Sequence, residues 1–336
     1  MVRLVGSTRI RETDSLLFNR PSGIVLGAKG QFFVADRADS RVLEITANGT
    51  IRRTFGRKGN GPGELMTPGA LALSGDTLLV VMDNGQLRVS LFNLRTGKFV
   101  SGFPVLAFLP SLRVVGSELL VTAIHVPTAT AVAVYALSGT LIRREGGIPA
   151  TAKRFLKLTE SMPFARTAAS GSQVYAAFDM SQSLLTWARN TKSVTEIPLP
   201  VTTRRGVKES VFDDLMRHPE RARELLYQHS SPAALEVLSS GRLALLTSDG
   251  NLMGKGGRFE GTYHVTIVDV AGKRVCPEVP VPVQRNPLPW AVALRGNTLV
   301  VLEQGDDGKG EAVTMLRRFT IDDTACTWVT LGAGRQ

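Results

Sequence analysis

The sequence predicts an all-β fold closed into a ring, and three observations carry that prediction. The first is the stretch Gly23–Pro68, where four short apolar strands follow one another: Gly23–Leu26, Gln31–Ala35, Arg41–Ile45 and Thr50–Phe55. Each ends in a turn signal, namely Ala28-Lys29-Gly30, Asp36–Ser40, Ala47-Asn48-Gly49 and the glycine-rich Gly56–Glu64. Strands joined by such short polar turns form antiparallel hairpins, and four in a row form a meander. The second observation is recurrence. The same rhythm returns with drifting sequence at intervals of about 40 to 70 residues, the spacing of propeller blades that carry insertions. The third is size: 336 residues, 43% hydrophobic, with 33 glycines and 17 prolines spread along the chain. That is enough apolar chain for one large closed core with many tight turns. Together they predict a single domain over residues 1–336, a six-bladed β-propeller of four-stranded antiparallel blades with a small helical insertion.

Taken in order, Met1–Arg11 alternates weakly and reads as an extra strand that completes the last blade. Blade one is Gly23–Phe55. Blade two begins at Gly69, blade three near Ser111, blade four near Arg166, blade five near Ala234 and blade six at Trp290. In blade six the strands are read as Trp290–Gly296, Thr298–Gln304, Val313–Asp322 and Cys326–Gly332. The inner strands read as small and apolar, as a crowded centre requires. Val207–Gln228 breaks the pattern: Val207, Val211, Leu215, Leu225 and Leu226 fall at helical spacing, interrupted at His218-Pro219. Ala150–Glu160 is a second, weaker helical segment. First-to-second strand turns are very short, whereas second-to-third loops and blade connections are long. In a propeller both long classes share one face, and elaborated loops on a rigid scaffold are where binding resides.

The run Gly23–Ile45, with its Phe-Phe-Val-Ala-Asp and Ser-Arg-Val-Leu-Glu-Ile, and the loop Thr54–Leu65 resemble the six-bladed propellers related to NHL repeats. They are most similar to a bacterial, mostly exported group whose first blade carries a like Val-Ala-Asp and a Phe-Gly-Arg-x-Gly-x-Gly-Pro-Gly-Glu loop. The resemblance implies the fold and a secreted or periplasmic location. Met1–Leu4 lacks a secretory signal's apolar run and cleavage site, so a trimmed signal and a cytoplasmic protein both fit.

Candidate chemistry is sparse. Asp36, Asp83 and Asp179 recur at the ends of second strands, with His125, Ser248-Asp249 and Gln304 at comparable places elsewhere. Asp36, Asp83, His125 and Asp179 form the candidate metal set for Ca²⁺ or Zn²⁺ at the channel mouth. The other reading of these residues is structural, since Asp at a strand end commonly accepts from backbone amides. Gly59–Glu64 lacks the Lys-Ser/Thr of a phosphate loop and reads as a blade-linking turn, with Glu64 capping its amides. No catalytic set and no Gly-x-Ser-x-Gly is present. Cys276 and Cys326 end successive hairpin motifs; they either pair, which implies an oxidising compartment, or remain two thiols. The net charge of +11 is spread over outer strands, and aromatics are only 6%, which argues against a nucleic-acid groove. No apolar stretch is long enough for a transmembrane helix. The expected function is therefore a non-catalytic binding or scaffold propeller, without a cofactor, that takes a protein, peptide or glycan on its long-loop face. The alternative is a metal-dependent lactonase-like hydrolase or lyase.

Overall fold

The structure, a computed structural model, describes residues 1–13, 17–105, 111–159, 165–179, 181–200, 213–214, 217–218, 230–253, 258–283, 291–306 and 312–331. Six antiparallel sheets follow in sequence. Blade one is β2 (Pro21–Leu26), β3 (Phe32–Asp36), β4 (Arg41–Ile45) and β5 (Ile51–Phe55). Blade two is β6 (Pro68–Ser74), β7 (Leu78–Asp83), β8 (Arg88–Asn93) and β9 (Phe99–Pro104). Blade three is β10 (Leu112–Val115), β11 (Glu118–His125), β12 (Thr130–Ala136) and β13 (Leu141–Glu145). After α1 (Ala150–Thr159), blade four is β14 (Ala165–Ser170), β15 (Gln173–Phe178), β16 (Ser183–Ala188) and β17 (Thr195–Pro198). Blade five is β18 (Ser230–Val237), β19 (Leu243–Met253), β20 (Arg258–Asp269) and β21 (Arg274–Pro280). Blade six is β22 (Ala291–Arg295), β23 (Thr298–Asp306) and β24 (Ala312–Ile321), completed by β1 (Val2–Arg9) from the N-terminus. The inner strands β2, β6, β10, β14, β18 and β22 each meet the next, and β22 meets β2, so the ring is closed.

The ring explains the continuous apolar runs. Strand β3 buries all five of its residues. Phe33 and Ala35 pack towards blade two with Leu79, Val81 and Phe92. Phe32 and Val34 point the other way, towards Val300 and Leu302 of blade six. A blade is covered on both faces by its neighbours, so alternation of side chains brings apolar residues to both. Six such cores fill the six blade interfaces. Outer strands alternate instead: β5 has Phe55 buried and Arg52 exposed. The inner strands crowd at Gly23, where an added side chain would run into the Gly69 carbonyl of the next blade.

Two features differ from the sequence expectation. Cys326–Gly332 does not supply the outer strand of blade six; β1 does, in register with β24 from Val2↔Ile321 to Arg9↔Met315. The short β25 (Val329–Thr330) instead adds a fifth strand to blade five, beside β21. A Cys276–Cys326 disulfide, with Cα atoms 5.6 Å apart, holds it there. Trp328 packs against the guanidinium groups of Arg242 and Arg274, which sit 4.8 and 4.6 Å from its ring. The second difference lies in the loops. In blades one to four the second-to-third loops are four residues each; in blades five and six the hairpins are longer. The asymmetry between faces rests mainly on the blade connections, including α1, which buries Ala152 against blades three and four. The expected Val207–Gln228 insertion lies mostly outside the described residues. Within it Asp213, Asp214 and Arg217 are helical, and Asp213 pairs with Arg154 of α1 at 2.9 Å.

Candidate functional site

In blades one and two an aspartate at the end of the second strand holds the connection that enters the blade. Fully buried Asp36 accepts from the amides of Asn19 and Arg20 at 3.1 and 2.9 Å. Asp83, also fully buried, accepts from the amides of Met66, Thr67, Gly85 and Gln86 at 2.7 to 3.3 Å. Asp179 accepts instead from Ser231 Oγ of the next blade at 2.8 Å. His125 Nδ1 shares a hydrogen bond with Thr128 Oγ1 at 2.7 Å. The four candidate metal ligands are thus engaged separately, Asp36 and Asp83 with backbone amides, Asp179 with Ser231 and His125 with Thr128, and the structure does not bring them together. Among the described residues no three His, Cys, Asp or Glu side chains assemble as a metal site. The Gly59–Glu64 turn is internally satisfied: Glu64 accepts from Gly61 N at 2.9 Å and from Arg57 at 3.0 Å. Those contacts, the Gly61 amide first, lower the Glu64 pKa.

The centre of the ring carries the chemistry that sequence reading passed over. A channel of about 850 Å³ runs the height of the inner strands, from Arg20, Arg37 and Asn84 at the long-loop end to Gly75 and Arg295 at the other. Five arginines and one carboxylate, Glu236, are among its lining residues. The expectation of small apolar inner strands therefore fails at Arg113 of β10, Arg166 of β14, Glu236 of β18 and Arg295 of β22. The physical reason is that an inner strand is the one strand of a blade with an edge on a hollow, where a long polar side chain has room. Arginine inside the otherwise apolar runs Ser111–Gly116 and Arg166–Gly171 was the available signal.

The arginines form two tiers. Arg113 crosses from blade three to blade five, donating to Leu235 O at 2.9 Å and to Glu236 Oε2 at 3.0 Å, with Nε on Thr167 O at 2.9 Å. Nearer the long-loop face, Arg166 Nε donates to Ala233 O at 2.9 Å and Nη1 to Ala165 O at 3.1 Å. Desolvation pushes the Arg166 pKa down, while the charge of Asp179 opposes that shift. Ser231, Ser248 and Tyr263 stand side by side on β18, β19 and β20 and line the same stretch of channel. Burial pushes the Tyr263 phenol up to about 12, so it is a neutral O–H donor at physiological pH. Next to this corner, Asp249 sits 3.0 Å from His264 Nδ1 and accepts from Ser230 Oγ. The Asp249 carboxylate beside the ring raises the His264 pKa against the cost of burial.

Residues 18–44 match the NHL repeat, overlapping the Gly23–Ile45 run whose motifs resemble it. The chain is a six-bladed β-propeller with an NHL repeat. No curated protein matches it. Among solved structures, a DUF4221-family member from Bacteroides vulgatus is 10% identical and covers 96% of this chain and 98% of its own, with a TM-score of 0.64. A Bacteroides fragilis protein whose name marks it as exported is 13% identical over 96% of each chain, with a TM-score of 0.60. A virginiamycin B lyase from Staphylococcus aureus is 10% identical over 96% of this chain and 100% of its own, with a TM-score of 0.54. At these identities the likeness is one of fold. The described part of the propeller has no helix long and apolar enough to cross a membrane.

Proposed function

We propose that this propeller is a non-catalytic binding module that takes a protein segment, peptide or glycan on its long-loop face, at the channel mouth. The observation that carries the reading is the polar, arginine-bearing channel that begins among the elaborated blade connections. Concave sites with a few convergent polar groups on a rigid ring are the usual seat of recognition. The carboxylates that a metal-dependent hydrolase or lyase would use are committed elsewhere: Asp36 and Asp83 to backbone amides, Asp179 to Ser231. The lyase among the structural neighbours contributes only its fold to this argument. We further propose an exported protein. The Cys276–Cys326 bond belongs to an oxidising compartment, and the exported Bacteroides neighbour agrees with it.

The test is affinity capture from extract of the source cells, with retained peptides and glycans identified by mass spectrometry. Ser248→Trp, which fills the channel mouth, serves as the matched control. The expected result is a ligand retained by the wild type and lost from the variant, with both proteins folded by circular dichroism. The same retained set on both proteins overturns the reading.

A further inference from the structure

We propose that the corner of the channel formed by Arg166, Tyr263 and Ser248 binds the carboxylate group of an organic ligand. The inference rests on the binding reading and assigns the chemistry of what is bound.

Arg166 is a pre-positioned fork. Its Nε and Nη1 are spent on the Ala233 and Ala165 carbonyls, which fix the plane of the guanidinium. Its Nη2 has no hydrogen bond among the described residues, and the side chain lines the channel. A guanidinium held in this way loses little freedom when it binds an oxyanion. Tyr263 is the second, independent observation. It is 8% exposed, yet its hydroxyl has no hydrogen-bond partner among the described residues and it lines the same cavity. A buried tyrosine hydroxyl normally finds a partner. Here a ligand oxygen would be that partner, accepting from a phenol that burial keeps protonated. Ser248 and Ser231 lie beside it on the paired strands. The Ser248 hydroxyl has only a long 3.4 Å contact with the Ser231 carbonyl and can turn to the ligand.

The charges favour a monoanion. One guanidinium faces the site, and the Asp179 carboxylate lies within its electrostatic reach. A phosphate dianion there would meet Asp179 with one positive charge to offset both. A carboxylate brings two oxygens to two well-placed donors, Arg166 and Tyr263. The deeper arginine does not compete, since Arg113 is neutralised by Glu236 at 3.0 Å. Exposed Arg20 and Arg37 at the rim add positive potential along the way in.

The experiment is ligand-observed NMR and thermal shift on the oxidised full chain, with benzoate, its neutral isostere benzamide, and inorganic phosphate. Benzoate should bind, and benzamide should bind about tenfold more weakly or worse, the value of one hydrogen bond to a charged group. Ser248→Asp adds a negative charge to the corner without touching the Arg166 bonds and should weaken benzoate by about tenfold or more. Tyr263→Phe should weaken it about threefold to tenfold. Arg166→Gln should weaken benzoate by about tenfold or more, and the other two variants keep the test open should it fail to fold. Equal binding of benzoate and benzamide, or benzoate affinity unchanged in Ser248→Asp, overturns the carboxylate assignment. Displacement of benzoate by phosphate reassigns the corner to phosphate and equally overturns it, as does absence of a benzoate signal at millimolar concentration. None of these touches the binding reading, whose failure would appear instead as extract retention insensitive to Ser248→Trp.

Discussion

Asp83→Asn changes one atom in a fully buried carboxylate and dissects what that group does. Oδ1 accepts from Thr67 N and Gly85 N at 2.9 Å and from Gln86 N at 3.3 Å, while Oδ2 accepts from Met66 N at 2.7 Å. An asparagine can keep Oδ1 in place. Its amide nitrogen then faces the Met66 N–H, donor against donor, in a site with no exposure to solvent. The Met66 bond is lost and the other three fall from charged to neutral, so the cost is about 2–4 kcal/mol. Asp83→Ala leaves four amides without their acceptor and costs more, about 4–8 kcal/mol, short of the full sum because neighbouring losses are not additive. Urea unfolding followed by near-ultraviolet circular dichroism gives both values, and a chain of this size shifts by about 2 °C or less per kcal/mol in a thermal scan. The reasoning fails if Asp83→Asn lies within about 0.5 kcal/mol of the wild type, the range of an ordinary surface change. It also fails if the difference appears only with added Ca²⁺ and vanishes in chelator, since Asp83 would then be a metal ligand.

Three other outcomes are expected. Deleting Met1–Arg9 removes the outer strand of blade six and uncovers β24, so the variant should melt far below the wild type or aggregate, whereas trimming residues 332–336 should leave the melting temperature unchanged; equal melting of the two truncations would refute closure by β1. Non-reducing mass spectrometry should show one linked peptide for Cys276 and Cys326, and reduction should free β25 and raise hydrogen exchange around Trp328. The stability lost stays below the about 4 kcal/mol that a 50-residue loop would give by chain entropy, because a two-residue edge strand can fray without opening the ring. The His264–Asp249 pair raises the His264 pKa above 6.5, so its stabilisation is complete below about 6.5 and disappears as pH rises through the raised folded value. The gap in stability between wild type and His264→Gln should therefore be wide at pH 6 and narrow at higher pH; a gap that widens with pH contradicts the pairing.

The first blade was legible almost to the residue, because hairpin turns and strand lengths are local properties. Arg41–Ile45 is strand β4 as read, and Gly23–Leu26 falls within β2. The helical pattern of Ala150–Glu160 forms α1, Ala150–Thr159. Met1–Arg11 was read correctly as the closing strand of blade six, but Cys326–Gly332 was misassigned to the same blade because both segments look like edge strands. Choosing between them depends on which reaches β24 with a seven-pair register and which is tied by Cys326 to blade five. The asparates at strand ends were legible as positions but not as roles. A carboxylate that binds four amides and one that binds metal look identical in a single chain.

By itself, the sequence determined the repeat, the direction of each hairpin, the two-sided burial of strands such as Phe32–Asp36 and the face that carries the long connections. Those follow from alternation and turn chemistry, which act over a few residues. Only the tertiary structure decided that Arg113, Arg166 and Tyr263 share one channel, that Cys276 meets Cys326, and that the segment after Cys326 joins blade five rather than blade six. Arg166 and Tyr263 are nearly a hundred positions apart along the chain. What unites them is the packing of blade four against blade five, and long-range packing leaves no local pattern in either segment.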